Sequence, residues 1–354
     1  MRPKSQDTPM QFPDLARTLQ TGAAGGKLPQ CWGDATRFLQ GADPMLVDEM
    51  LARLPPSFYV VGAPRCGTTT LSRALGSHPD VSFSMPKETH FLLRDCSAIP
   101  RAEAQRRYLQ SFHPRLTRDT QVIGDGSVTY LYRPDAIRRA LEFDHRARFI
   151  VSVRNPLDML RSYHARLLFL LDENEPEFAR AWALQDERAA GRHVPARCRD
   201  RKLLQYRDVA ALGKHVEGLF RLAGTGRCEV VVLDDLRGRS AEVYQQLLAF
   251  LGLRDDGRRE FAAKRQNASF KHRWLQQLTM NPSPWALGLL HISSTTKLER
   301  LKRWRKRLKR LNTVPREPRE FAPHVQAMLR DYFRNDVEKL SGLLDRDLTH
   351  WLRK

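Results

Sequence analysis

From residue 57 onward, short apolar runs alternate with amphipathic stretches along the chain. Residues 58–63 (Phe-Tyr-Val-Val-Gly-Ala) predict a buried strand, and a helix over 68–76 follows, closed by Gly-Ser-His-Pro. A short strand is expected over 81–84 and another at Val122 and Ile123, leading into Asp125. Pro134 opens a helix to Leu141, 149–153 reads as an apolar strand, and Pro156 starts the next helix. The last strong strand covers 230–233, with a helix running on to Phe250-Leu-Gly. This alternation predicts an α/β chain, a three-layer sandwich with a central parallel sheet and helical decorations. Residues 320–352 read as a C-terminal helix, with Val325, Leu329, Phe333, Val337, Leu340 and Leu344 recurring at helical spacing. Residues 1–56 are punctuated by Pro and Gly, with one short helix around 46–54, and read as an N-terminal extension to a domain over 57–354.

In such sheets ligands gather beyond the C-terminal strand ends, which directs attention to the turn after the first strand. Gly62-Ala-Pro-Arg-Cys-Gly67-Thr-Thr-Thr has the Gly-x-x-x-x-Gly spacing of a P-loop, so a P-loop NTPase-like sheet is expected. A nucleoside-triphosphate hydrolase needs a Lys after the second Gly, and a hydroxyl on Mg²⁺. Here Thr68, Thr69 and Thr70 follow Gly67, and the nearest cation, Arg65, lies inside the turn. The phosphate cradle is kept and the triphosphate hardware is missing, which points to another phosphorylated donor. Val232-Leu-Asp-Asp235 imitates the acidic strand of ATPases, but without the loop lysine it reads as structural, and no metal is implied.

Charge narrows the partners. The 354 residues carry 60 Lys+Arg against 40 Asp+Glu, net +20, which favours an anionic partner; an arginine-favouring genome accounts for part of it. Eight of the twelve residues 299–310 are basic, and Leu298, Leu301, Trp304, Leu308 and Leu311 share one helical stripe there. Residues 297–311 are therefore a candidate for peripheral contact with an anionic membrane surface or a polyanion, against the alternative of a surface helix packed on the core. The longest uncharged apolar-rich piece near the C-terminal half, 285–292, is far short of a membrane span. The first residues lack the apolar core of a secretory signal, and five cysteines (Cys31, Cys66, Cys96, Cys198, Cys228) share no ligand spacing; a reduced, cytoplasmic setting is expected, with the membrane's inner face as a possible station.

After the strand 149–153 comes Arg154-Asn-Pro-Leu-Asp-Met-Leu-Arg-Ser162. A guanidinium at a strand end and a hydroxyl two helical turns on can share one anion. With these elements in order, the chain resembles the sulfotransferases that use 3′-phosphoadenosine 5′-phosphosulfate, in their bacterial and heparan-sulfate-type branch. Residues 62–71 resemble the family's 5′-phosphosulfate loop, and Arg154 with Ser162 resembles its 3′-phosphate element. Ser77-His-Pro-Asp-Val81, Pro86-Lys-Glu-Thr-His-Phe91, Gly124-Asp-Gly-Ser-Val-Thr-Tyr-Leu131, Val231-Val-Leu-Asp-Asp-Leu236 and Phe250-Leu-Gly-Leu253 agree, as does Asp347-Leu-Thr-His-Trp351.

The resemblance implies sulfuryl transfer from that donor to an acceptor hydroxyl, of a carbohydrate, glycolipid or similar molecule. Gly62, Arg65, Cys66, Gly67, Thr68, Thr69, Thr70, Arg154 and Ser162 would bind the donor. Glu88 would be the base, with His90 orienting it or replacing it, and Arg65 would supply charge where family members usually carry Lys. Lys271 and Arg273, in Asn267-Ala-Ser-Phe-Lys271-His-Arg273, would close over the nucleotide. Gly126 stands where relatives often place a second lysine. Specificity is expected in the N-terminal extension, the loop 92–114 and the segment 171–201, and Tyr206 begins a helix on the substrate side. Two other classes compete: a kinase or nucleotide hydrolase, which the absent lysine opposes, and a polyanion-binding protein driven by the basic stretch. No nucleic-acid partner is expected, since no groove-reading helix or aromatic-basic RNA motif is present.

Overall fold

The computed structural model describes residues 42–94, 99–261, 268–280, 295–315 and 317–353. Residues 1–41, the apolar piece 285–292, Asn267, Cys31 and Cys96 lie outside them, as do the side chains of Leu298 and Leu301.

Five strands form an all-parallel sheet: β1 (Ser57–Gly62), β2 (Val81–Phe83), β3 (Val122–Asp125), β4 (Arg148–Val153) and β5 (Cys228–Val232), in the order β2-β3-β1-β4-β5. Every residue of β1 is buried, as the central strand of a sheet covered on both faces must be. Its side chains alternate between two cores. Tyr59 and Val61 join Ile123, Phe149 and Val151 under the helices Pro134–Phe143, Pro156–Leu170, Leu212–Ala223 and Pro323–Leu343. Phe58 and Val60 face the other way with Val81, Phe83, Ile150 and Val231, beneath the helices Thr68–Gly76 and Ser240–Leu251. The result is the expected three-layer α/β sandwich.

Differences from the sequence reading are local. The helix after β5 is broken into Leu233–Gly238 and Ser240–Leu251, and the C-terminal helix ends at Leu343 before a last turn, Thr349–Leu352. Tyr206 opens a single turn, Tyr206–Val209; the long helix starts at Leu212, where Asp336 accepts the N–H groups of Gly213 and Lys214, each at 2.9 Å. The helix Pro44–Ala52 buries Val47 and Met50 in the larger core, near the helix Arg101–Phe112. A second, two-stranded sheet pairs β6 (Ala268–Phe270) antiparallel to β7 (Thr313–Pro315).

The chain leaves β1, builds β2 and β3 on one side, then crosses to β4 and β5 on the other. The crevice beyond β1 and β4 is therefore the switch point where such sheets bind ligands.

One buried group under this sheet titrates. His113, fully enclosed, meets Ser82 Oγ at 3.1 Å through Nδ1, and burial pushes its pKa down to about 3. An unfolded chain takes up that proton near pH 6.5, so the stability held by neutral His113 is complete above that pH and drains away as pH falls towards 3. Urea unfolding at pH 7.5 and pH 5 should show a loss of roughly 2 kcal/mol from this group. His113→Gln should flatten that difference; an unchanged slope in the variant would show that the imidazole is not responsible.

Candidate active site

Beyond Gly62, which pairs with Val151 at the end of β1, the chain enters a turn with two left-handed residues, Arg65 (φ 66°) and Gly67 (φ 89°). At Gly67 a Cβ would also lie 2.6 Å from Leu233 Cδ1, so glycine is required by backbone and by space. Gly67 precedes the helix Thr68–Gly76, and the N–H groups of Thr70 and Leu71 bond to its carbonyl. The N–H groups of Thr68 and Thr69 fall in the first turn, which a helix leaves without internal acceptors. With the helix dipole they form a cradle for an anion. Thr68 is buried, Thr69 exposed and Thr70 between the two. Cys66 is buried and burial pushes its thiol up to about 12, so this residue offers backbone and not sulfur chemistry.

Two bonds fasten this loop to β4. Ala63 N–H donates to Ser152 carbonyl at 2.8 Å, and the Ser152 hydroxyl donates to the carbonyl of Cys66. Two residues on, Arg154 is 8% exposed; its Nη1 reaches the carbonyl of Arg65 at 3.4 Å and its Nη2 pairs with Asp158 at 3.0 Å. Its Nε is buried without a hydrogen-bond partner, an unmet donor beside the anion cradle. Ser162 lies on the following helix, Pro156–Leu170, and accepts from Arg65 Nε at 2.8 Å. The arginine of the loop thus reaches the serine assigned by sequence to Arg154, and all three belong to one cluster. Asn155 caps that helix through Leu157 N–H and donates to the carbonyl of Trp351 at 3.0 Å, so the C-terminal turn holds the base of the Arg154 element.

Across the loop, the segment after β2 is stitched to the end of β3. Ser84 N–H bonds to Gly124 carbonyl, Gly126 N–H to Lys87 carbonyl, and His90 N–H to Ser127 Oγ. Beneath them Asp125 is fully buried; its carboxylate accepts from Thr89 Oγ1 at 2.5 Å, Ser127 N–H at 2.7 Å and Tyr108 OH at 3.3 Å. Burial raises its pKa against these bonds. The hub fixes Glu88 and His90, on either side of Thr89. Glu88, 37% exposed by its side chain, lies with Oε1 3.1 Å from Lys87 Nζ and Oε2 3.8 Å from His90 Nε2. His90 Nδ1 meets Thr129 Oγ1 at 3.0 Å. Burial, helped by the charges of Arg199 and Lys87, lowers the imidazole's pKa despite Glu88 and Asp125, which keeps it neutral at pH 7.

Lys87 is the residue that sequence reasoning left out. Its Nζ lies between Glu88 and Thr68 Oγ1 (3.4 Å), the first residue of the phosphate-loop helix. Its stem lies over Gly126, where a Cβ would come within 2.7 Å of Lys87 Cε. The glycine that replaces a relative's lysine therefore makes room for this one. The clue was available: a phosphate loop without a lysine needs a cation from elsewhere, and one directly precedes Glu88. Lys271 and Arg273 are exposed, beside the two-stranded sheet, where Lys271 N–H bonds to Asn312 carbonyl and Gln276 ties to Phe169 carbonyl, at the far end of the Ser162 helix. None of the described contacts joins either to the phosphate loop.

Among the described residues, no group of three or more His, Cys, Asp or Glu side chains is placed to hold a metal ion. Asp235 pairs with Arg239 and Arg346, a structural tie to the C-terminal end. The segment 171–201 is organised by an enclosed Glu173–Arg188 pair (2.6 Å) and by Asp172 bound to Arg199. No described helix is long and apolar enough to cross a membrane.

Comparison with known proteins finds similarities of sequence and of fold. A sulfotransferase-family model matches residues 56–122, the stretch from β1 to the start of β3. Carbohydrate sulfotransferase 15 of Homo sapiens and of Mus musculus are each 47% identical over 49 residues; the match covers 14% of this chain and 9% of the relatives' length. A sulfotransferase crystal structure from Alicyclobacillus acidocaldarius superposes with a TM-score of 0.57 at 22% identity, over 84% of this chain and 99% of that one, a likeness of fold. Over residues 56–122 the chain is therefore similar in sequence to the sulfotransferase family, and over most of its length it shares the fold of a sulfotransferase.

Proposed function

We propose that this protein transfers a sulfuryl group from 3′-phosphoadenosine 5′-phosphosulfate to a hydroxyl of a carbohydrate, glycolipid or similar acceptor. The observation that carries this reading is the meeting of three groups at one lysine-free phosphate loop: the backbone cradle at Gly67, the half-committed Arg154, and the Lys87–Glu88 pair. The donor supplies a sulfuryl group on a phosphate leaving group. The unmet Nε of Arg154 and the open first turn after Gly67 suit two separate phosphates.

Within this reading Glu88 takes the proton of the acceptor hydroxyl, since it is the partly exposed carboxylate of the pair. Neutral His90, anchored on Thr129, holds the orientation of Glu88. Lys87, Arg65 and the N–H groups of the loop supply fixed positive charge where the leaving phosphate gathers its own. Arg154 and Ser162 are assigned to the 3′-phosphate, and Lys271 and Arg273 to the nucleotide. The acceptor faces Glu88 from the side of segment 171–201, whose Arg199 bears electrostatically on His90.

A thermal-shift screen tests the donor class: adenosine 3′,5′-bisphosphate should stabilise the protein without Mg²⁺ and more than ATP or AMP. Mg²⁺-dependent stabilisation by ATP alone would sink the reading. Glu88→Ala should lower transfer by about 10²–10⁴-fold with binding of the bisphosphate nearly unchanged; normal turnover would refute the base assignment. Arg154→Ala should weaken the bisphosphate at least about tenfold more than AMP, and equal losses would show that Arg154 does not read the 3′-phosphate. Lys87→Ala should cost about 10²–10³ in kcat with little change in bisphosphate affinity. A drop in affinity with kcat intact would make Lys87 a binding residue instead.

A further inference from the structure

The helix Thr295–Asn312 lies outside the site and is not explained by it. Six of the eight residues 303–310 are Arg or Lys and none is acidic. Trp304, Leu308 and Leu311, spaced for one helical face, were open to a reading as a core-facing stripe, and the structure excludes that for two of them. Trp304 is 56% exposed and Leu311 61%. The helix Arg273–Met280 packs alongside and exposes a second indole, Trp274, at 65%. Arg303, Lys306, Arg307 and Arg310 are all exposed; Arg303 and Arg307 flank the stripe, and Lys306 and Arg310 lie round towards the opposite side of the helix.

We propose that this face seats the protein on an anionic lipid bilayer. A soluble polyanion is recognised by the cations, and a single-stranded nucleic acid by cations and a stacked indole; neither uses the exposed leucine beside them. A bilayer uses both: the headgroup charge attracts Lys and Arg, and the boundary with the acyl chains accepts Trp and Leu. Indoles concentrate at that boundary because they join an apolar body to one N–H donor. The face is also bolted to the catalytic domain. Asn312 closes onto His272 and Gln276, Gln276 Nε2 donates to Phe169 carbonyl on the Ser162 helix, and Arg197 of segment 171–201 donates to Gln277 carbonyl. Docking would thus bring the acceptor side of the site beside the headgroup layer, where a lipid-borne hydroxyl is presented.

Vesicle binding is read without donor or acceptor, so its result is separate from that of the reaction proposed above. The full chain should co-sediment with phosphatidylcholine vesicles carrying 30% phosphatidylglycerol (an assumed loading, about that of a moderately anionic membrane) and be released by salt. Trp304→Ser with Leu311→Ser keeps every charge and should weaken retention by at least about tenfold, while heparin-column elution is unchanged. Arg303→Glu with Arg307→Glu, beside the stripe, should abolish vesicle retention. Equal binding to pure phosphatidylcholine, full retention of the serine double variant, or no retention of the native chain at low salt would overturn the proposal.

Discussion

Everything at the site depends on how Ser152 holds two strand ends together. Parallel neighbours β1 and β4 diverge after their last paired residues, and a loop leaving β1 has no inherent reason to stay near one leaving β4. Ser152 supplies that reason twice, through its carbonyl to Ala63 N–H and through its hydroxyl to Cys66 carbonyl. Both groups are fully buried, where an unpaired donor or acceptor costs roughly 1–3 kcal/mol, so the pairing is enforced as much by what its loss would leave unsatisfied as by its own strength. Arg154 emerges two residues later and so lands on the loop, its guanidinium against the carbonyl of Arg65.

A second constraint positions the other half. Asp125 is a buried carboxylate with no described cation in contact, held by hydroxyls and an N–H group. Such a network is costly when incomplete and rigid when complete. Here it sits under the segment from Pro86 to Phe91, so that Glu88 and His90 project from a loop that cannot drift relative to the sheet. The enclosed Glu173–Arg188 pair acts similarly under the segment 171–201, where Tyr206 OH also reaches Glu173 at 2.7 Å. Buried pairs of this kind add little net stability; what they fix is geometry.

The fold was legible because each strand is a short apolar run ending in a turn signal, and those signals are local. The phosphate loop was legible for the same reason: Gly62 and Gly67 carry the spacing, and Gly67 is needed at φ 89°. What sequence could not give were the pairings between distant loops. In the sequence Ser152 is one polar residue in an apolar strand, Lys87 a basic neighbour of Glu88, and Gly126 a glycine where relatives often place a lysine. Each takes its meaning from a neighbour far along the chain, and no periodicity encodes that. The broken helix after β5 was missed because Leu233–Gly238 and Ser240–Leu251 together have an uninterrupted helical composition, with Arg239 alone marking the joint. The exposed Trp304 stripe could have been buried or open; helical spacing is identical in both cases.

The source of positive charge separates this loop from those of nucleotide hydrolases. There the lysine belongs to the loop itself and travels with the phosphates. Here the lysine beside the loop, Lys87, comes from the neighbouring strand end, adjacent in sequence to the carboxylate it pairs with. Lys87 and Glu88 are 24% and 37% exposed, and ion pairs at such sites are worth about 0–1 kcal/mol. The pair is therefore weak enough for Lys87 to turn towards an incoming anion, while the Gly126 slot keeps its stem in place. In the proposed reaction, drawing Lys87 to the leaving phosphate and parting it from Glu88 would be one movement, which a lysine built into the loop could not provide.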